Sequence, residues 1–407
     1  MGAAADHAMS HRPVSLTALL AELVSHPSVQ PEAGAGATLA GEAALAAWVA
    51  DYLRRLGADV HLHRLAPGRP SVVAAFEPAG PVRATVAFVP HLDTVGAAGM
   101  TVPPFALTRR QGRLHGRGAC DTKGPMAALL WALRRWTCSR AWSRNRVRWL
   151  FVATAGEEQG SLGAQALLTD GFRADFAIAL EPTDLKVIYA AKGLLRVWVE
   201  VAGRAAHGAK PWLGVNAIDK ALPLLAALRD EVSPTLRANR HPVLGPATLN
   251  VGVIHGGSDI NVVPASCRFG LDIRVHPGCP PDQIMEILRT AVKRHVPDAH
   301  LSIQRRGPSF VTDRTNPWAK RLQTVSQGWA VADWFCDANL FSQYRIPAVA
   351  FGPGSIAQAH TRDEYIRSAD LAAGERAFYA YLTDPRIDAC TARRKPGSSR
   401  SIRRRSA

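Results

Sequence analysis

Short apolar runs in this chain stop, one after another, on an acid or an imidazole. VAFVP delivers His91, WLFVATAG delivers Glu157 and Glu158, and FAIAL delivers Glu181. Asp121 and His360 sit in the glycine-bearing segments GRGACDTKG and GPGSIAQAH. Runs of this length, apolar throughout rather than alternating, predict strands buried on both faces of a sheet. A strand that ends on an ionisable side chain holds it rigidly at the sheet's edge, which suits a catalytic or metal centre. Two imidazoles with four carboxylates suit two zinc-like cations that share a bridging carboxylate.

The 407 residues exceed the usual range of one domain, so two domains are expected. With 47% hydrophobic and 20% charged residues, the chain can bury a large core. No apolar run approaches the roughly 20 residues that cross a bilayer, so no membrane partner is expected. The opening MGAAADHAMSHRP lacks a cleavable apolar core, and Asp6 stands where a myristoylation signal wants Ser or Thr. Cys120, Cys138, Cys267, Cys279, Cys336 and Cys390 show no CxxC spacing, which fits reduced thiols in a cytoplasmic protein. Seven of the +16 net charges fall in residues 391–407, among Ser, Gly and Pro, so residues 389–407 are expected to be a disordered basic tail. The remaining charge is spread, with no basic patch interleaved with aromatics, and no specific nucleic-acid partner is expected.

Helical periodicity at 15–25, 41–56, 123–136 and 161–171 alternates with strand-like runs at 59–65, 71–77, 84–90, 147–155 and 174–182. This order predicts an α/β fold: a mixed, mostly parallel sheet sandwiched by helices. Between residues 190 and 307 the pattern becomes two-residue alternation. Strands at 194–203, 247–257, 267–275 and 300–307 enclose helices at 216–231 and 280–296. Strand–helix–strand–strand–helix–strand is the order of a ferredoxin-like α+β unit. The α/β pattern resumes at 316–329 and 347–352. The expected organisation is therefore a first domain in two parts, 12–189 and 308–388, interrupted by an inserted domain at 190–307.

His91 and Asp93 form His-x-Asp at a strand end, where Asp93 can serve the imidazole's second nitrogen and set its tautomer. Adjacent Glu157 and Glu158 repel each other unless a cation lies near, and neighbours on a strand face opposite ways. A turn at Gly156 must therefore aim both at one place. The economical division makes Glu158 a metal ligand and Glu157 the general base on a metal-activated water. Asp121, held in its glycine-rich turn, can bridge two ions. Glu181 at the end of a buried strand is costly unless a cation pairs with it. Taken singly, each fits a solvated strand end or turn; their succession does not.

The segments PHLDTV, PPF, GRGACDTKG, GEE, EPT, GRAAHGAKPWLGVNAI, GGSDINVVP, LDIR and GPGSIAQAHTRDEY, spread over about 15 to 385, resemble the co-catalytic zinc amidohydrolases. That family groups acetylornithine deacetylase, succinyl-diaminopimelate desuccinylase, aminoacylase-1 and bacterial glutamate carboxypeptidase. The resemblance implies one metal on His91 and Glu181, the other on Glu158 and His360, with Asp121 bridging. It makes Asp93 the group that orients His91, and Glu157 the acid/base. It implies that His207 polarises the scissile carbonyl, from the partner subunit in dimeric members, and that Asn261 and Arg274 bind the substrate's carboxylate side. A guanidinium suits that last role through two parallel hydrogen bonds.

The implied activity is hydrolysis of the amide of an N-acyl amino acid, closest to acetylornithine deacetylase and hence to arginine biosynthesis. Two divalent metals are expected, zinc first, with cobalt or manganese as alternatives, and a homodimer through the inserted lid domain. The stretch Phe335-Cys336-Asp337-Ala338-Asn339 departs from the desuccinylase pattern. Thr122 replaces a common Met, and a Trp often found before PPF is absent. A dipeptidase or carboxypeptidase would use the same metal site on a short peptide. A non-enzymatic binding protein on a retired hydrolase scaffold is the further alternative.

Overall fold

The computed structural model describes residues 13–30, 40–66 and 69–386; the N-terminal segment and the basic tail, with what was expected of them, lie outside the described residues. The strand Ala84–Val89 shows how the main sheet is built. Val86 and Phe88 pack into one apolar cluster, while Ala87 and Val89 pack into another. Successive side chains point to opposite faces, so an all-apolar strand must be covered twice. Helices Leu16–Ser25, Lys123–Thr137 and Ser368–Thr383 supply one cover, and Leu162–Thr169 with Asp337–Gln343 supplies the other.

The sheet runs in the order Asp59–Ala66, Arg69–Phe76, Val147–Ala153, Ala84–Val89, Phe176–Ala179, Ala348–Ala350, Val187–Ala191, Phe310–Val311. Its middle four strands are mutually parallel. The pairs toward both edges are antiparallel, except that Trp329–Ala332 joins Val187–Ala191 in parallel. The mixed sheet covered by helices is thus the expected fold class. Because the central strands run the same way, their C-terminal ends share one edge. That edge is where open α/β sheets present ligand sites.

A second, four-stranded antiparallel sheet has the order Thr248–Gly256, Ser266–Val275, Gly193–Ala202, His300–Gly307. Leu195, Val197, Val199, Phe269, Leu271 and Ile273 line one face of it, packed under helices Ala217–Ala227 and Pro281–His295 through Leu224, Ile284 and Leu288. Its other face carries Arg196, Asp272 and Arg274.

Two segments differ from their expected lengths. The helix from Ala217 continues through a π-helical turn, Leu228–Val232, into Ser233–Ala238. The helix expected over 316–329 is short, Pro317–Gln323. Beyond it Gly328 turns with φ +107°, and its carbonyl accepts the Val187 amide at 2.8 Å, starting the strand Trp329–Ala332. Pairing to an open sheet edge outweighs local helical preference there.

Candidate metal and catalytic centre

The parallel strands deliver their acids to one place. His91 follows Ala84–Val89, Glu157 and Glu158 follow Val147–Ala153, Glu181 follows Phe176–Ala179, and His360 lies on the loop after Ala348–Ala350. Donor atoms of His91, Asp121 and Glu181 all fall within 4.8 Å of one another, as do those of Asp121, Glu158 and His360. Asp121 belongs to both sets, and its two oxygens divide between them. Oδ1 lies 3.0 Å from His91 Nε2, and Oδ2 lies 3.3 Å from His360 Nε2, which also meets Glu158 Oε1 at 2.7 Å.

Several of these side chains are held from behind. His91 Nδ1 donates to the Asp93 carbonyl oxygen at 2.9 Å, which leaves Nε2 free to face Asp121. The Asp93 carboxylate stands farther from that ring, at 3.7 Å. It accepts instead from the amides of Glu157 at 2.9 Å and Glu158 at 3.0 Å. The expected imidazole–carboxylate partnership is thus carried chiefly by the backbone of Asp93, while its side chain fixes the double-glutamate turn. Gly156, at φ +65°, makes that turn possible, and its amide is taken by Glu42 Oε1 at 2.8 Å. Glu42 is itself buried against Arg69 at 2.7 Å, and Arg69 donates on to Gln159, also at 2.7 Å. His360 sits at φ +60°, a conformation that costs a residue with a Cβ and that gathers at functional sites.

Asp121 is placed by a residue of the GPGSIAQAHTRDEY segment to which the sequence assigns no role. Buried Glu364 accepts from the amides of Gly118, Cys120 and Asp121 at 2.9, 2.7 and 2.9 Å, and from Arg117 Nη1 at 2.8 Å. One carboxylate thereby shapes the whole glycine-rich turn. Asp337 is a second acid near the centre whose place the sequence does not announce. It is buried at the start of helix Asp337–Gln343 and accepts from Thr154 Oγ1 at 2.7 Å, just past the strand that leads to Glu157. A buried acid at a helix start is the only local hint for it. For Glu364 the hint is an acid shortly after His360, too common to read alone.

Electrostatically the centre holds more negative charge than it can keep. Burial, then the nearby Asp337 charge, pushes Glu157 well above the usual carboxylate range. Burial and Asp121 do the same to Glu181. Burial draws His91 down, yet hydrogen bonds to Asp121 and Asp93 outweigh it and hold the ring well above its ordinary value. Asp121 and Glu158 raise His360 to about 10. Against its own burial, Asp121 is held far down by the two imidazoles. Three carboxylates converge on two imidazoles with Glu157 beside them, and this donor set fits a pair of divalent cations.

The other three candidates sit elsewhere. His207 and Asn261 adjoin each other in exposed loops of the second sheet, where His207 bridges to Val262 and the Gly208 amide donates to the Asn261 carbonyl at 2.7 Å. Arg274 is paired with Asp272 at 2.9 Å. Among the described residues, no hydrogen bond or ion pair ties these three to the cluster around Asp121.

A family model described as peptidase family M20/M25/M40 matches residues 87–384. The chain is 35% identical over 311 residues to acetylornithine deacetylase of Myxococcus xanthus, covering 74% of this chain and 80% of that one. Against acetylornithine deacetylase of Vibrio atlanticus it is 29% identical, covering 78% and 85%. The crystal structure of an M20 family metallo-carboxypeptidase from Sulfolobus solfataricus superposes with a TM-score of 0.76 at 18% identity, covering 91% of this chain and 98% of that one.

Proposed function

Because this chain belongs to the M20/M25/M40 peptidase family and is a metal-dependent amide hydrolase, we propose that it removes the acyl group from an N-acyl amino acid. N-Acetylornithine heads the substrates to try, since the similar curated relatives carry that activity in their names. The observation that carries the reading is the division of the Asp121 oxygens between two donor sets. His91 and Glu181 would hold one ion, Glu158 and His360 the other, with Asp121 between them. Nitrogen and oxygen donors of this kind suit zinc, and also cobalt or manganese. A bound metal pair would lower the pKa of a water and polarise the amide carbonyl.

The chain's own residues do the rest. Glu157 takes the attacking water's proton and later gives it to the departing amine, a transfer its buried, raised carboxyl is suited to. Asp93 keeps Glu157 and Glu158 aimed by gripping both backbone amides. Segment 190–307 serves as the lid and pairing domain, with 12–189 and 308–388 as the two parts of the catalytic domain. His207 polarises the carbonyl, and Asn261 and Arg274 bind the substrate's carboxylate side. Trp212, Leu213 and Ile260, large apolar residues exposed near His207 and Asn261, support a homodimer in which His207 serves the partner's site. Among the described residues no helix is long and apolar enough to cross a membrane, in keeping with a cytoplasmic location.

The decisive assay offers the metal-loaded enzyme a panel of N-acyl amino acids beside dipeptides. Turnover of N-acyl amino acids is expected. Hydrolysis of dipeptides alone would replace deacylation by a peptidase activity, which the carboxypeptidase fold likeness keeps in view. A second test concerns the dimer. Glu157→Gln and His207→Ala should each be inactive alone and regain activity when co-assembled, because a mixed dimer holds one intact site. Mixed dimers that stay inactive would place His207 in its own subunit's chemistry.

A further inference from the structure

The polar face of the second sheet carries more guanidinium than its acids balance. Register aligns Asn250, Asp272, Arg196 and Arg305 on four neighbouring strands, so their side chains stand in one row on one face. Arg274, two residues from Asp272, shares that face. Asp272 serves both of its neighbours, Arg196 at 3.3 Å and Arg274 at 2.9 Å. Arg305 has no carboxylate within ion-pair distance among the described residues. Its side chain, half-buried, leaves the row toward the metal centre instead. The guanidinium lies 5.1 Å from the centre of the Phe335 ring, and a Cβ placed on Gly160 would sit 3.8 Å from its Nε. Gly160 closes the turn that holds Glu157 and Glu158. Those two and Asp337 are the acids whose field reaches Arg305, while Arg196 opposes it.

A cation in that position is at odds with a site built to hold two more. Once divalent ions are bound, the charge of Glu158 is spent on them, while Glu157 and Asp337 act on Arg305 only from beyond ion-pair distance. A part-buried guanidinium stacked on an aromatic ring and lacking a carboxylate is well placed to take one from outside. We propose that Arg305 binds a second acidic group of the substrate, beyond the α-carboxylate. The favoured class is then an N-acyl amino acid with an additional carboxylate, in the side chain or in the acyl group. This rests on the amide-hydrolase reading above and narrows its substrate class, moving N-acetylornithine, whose side chain is cationic, from the head of the substrates to try.

The test measures kcat/KM of the metal-loaded enzyme on matched pairs. N-Acetyl-L-glutamate against N-acetyl-L-glutamine reads a side-chain carboxylate, and N-succinyl-L-alanine against N-butyryl-L-alanine reads an acyl-group carboxylate. Ala-Glu against Ala-Gln reads the same charge in a dipeptide. In at least one pair the acidic member should be preferred about 10- to 100-fold, the range of a charge-assisted bidentate contact. Arg305→Gln should erase that preference while leaving the neutral member within about threefold of wild type and metal content unchanged, and Arg305→Lys should restore part of it. Equal rates on both members of every pair in the wild type, or an equal loss on both in Arg305→Gln, would overturn the assignment. If only the dipeptides react, deacylation falls, and the Ala-Glu/Ala-Gln pair alone decides for or against Arg305. Failure on every pair removes both readings.

Discussion

Glu157→Gln is expected to lower kcat by about 10²- to 10⁴-fold, the usual worth of a positioned general base, with KM and metal content little changed. The amide keeps the shape of the side chain but cannot accept the proton of the attacking water. The substitution also leaves the local scaffold alone. The turn is held through the Glu157 backbone amide on Asp93, through Gly156 on Glu42 and through Gln159 on Arg69, and none of these uses the Glu157 carboxyl. Parallel kinetics and elemental analysis check it. A variant that retains wild-type turnover would dismiss Glu157 as base, and one that loses its metal would make Glu157 a ligand instead.

Asp121→Ala should have a different signature: both ions lost together, with activity at background. Each donor set has three members and shares Asp121, so removing it leaves only His91 with Glu181 on one side and Glu158 with His360 on the other. Two donors are too few to hold a divalent ion tightly against water. Elemental analysis after gel filtration should fall from two ions per chain to well under one, and retention of both would end the bridging role. Metal uptake should also depend on pH. In the metal-free protein His360 keeps its proton up to about 10 because Asp121 and Glu158 hold it. That raised value stabilises the metal-free fold fully below the ring's ordinary value near 6.5, and the contribution fades as pH climbs through about 10. An incoming cation must displace the proton, so affinity should rise with pH and binding at neutral pH should acidify an unbuffered solution. A titration that releases no protons would contradict this.

Much of the centre was legible because its components are local. An all-apolar run followed by an acid encodes both the strand and the position of its end, which is why His91, Glu157, Glu158 and Glu181 stood out. The demand for a turn at Gly156 followed from strand geometry and is met by its positive φ. Asp93 shows the limit of such reasoning. Its nearness to His91 in sequence suggests a carboxylate beside the ring; the carboxylate stands there at 3.7 Å and also holds amides 64 and 65 positions further along the chain.

What the chain's order of residues determined alone was the kind of sheet, the sites where ionisable groups would leave it, and the residue types that gather there. Burial and periodicity are properties of short segments, and short segments carry them openly. Only tertiary structure decided which oxygen of Asp121 faces which imidazole, that Glu364 shapes the Asp121 turn from more than 240 positions away, and that Arg305 leans from the second sheet over the Glu157 turn. Those facts are directions and distances between remote segments, and a hydrogen bond or an ion pair exists only once packing has brought its two ends within about 3 Å.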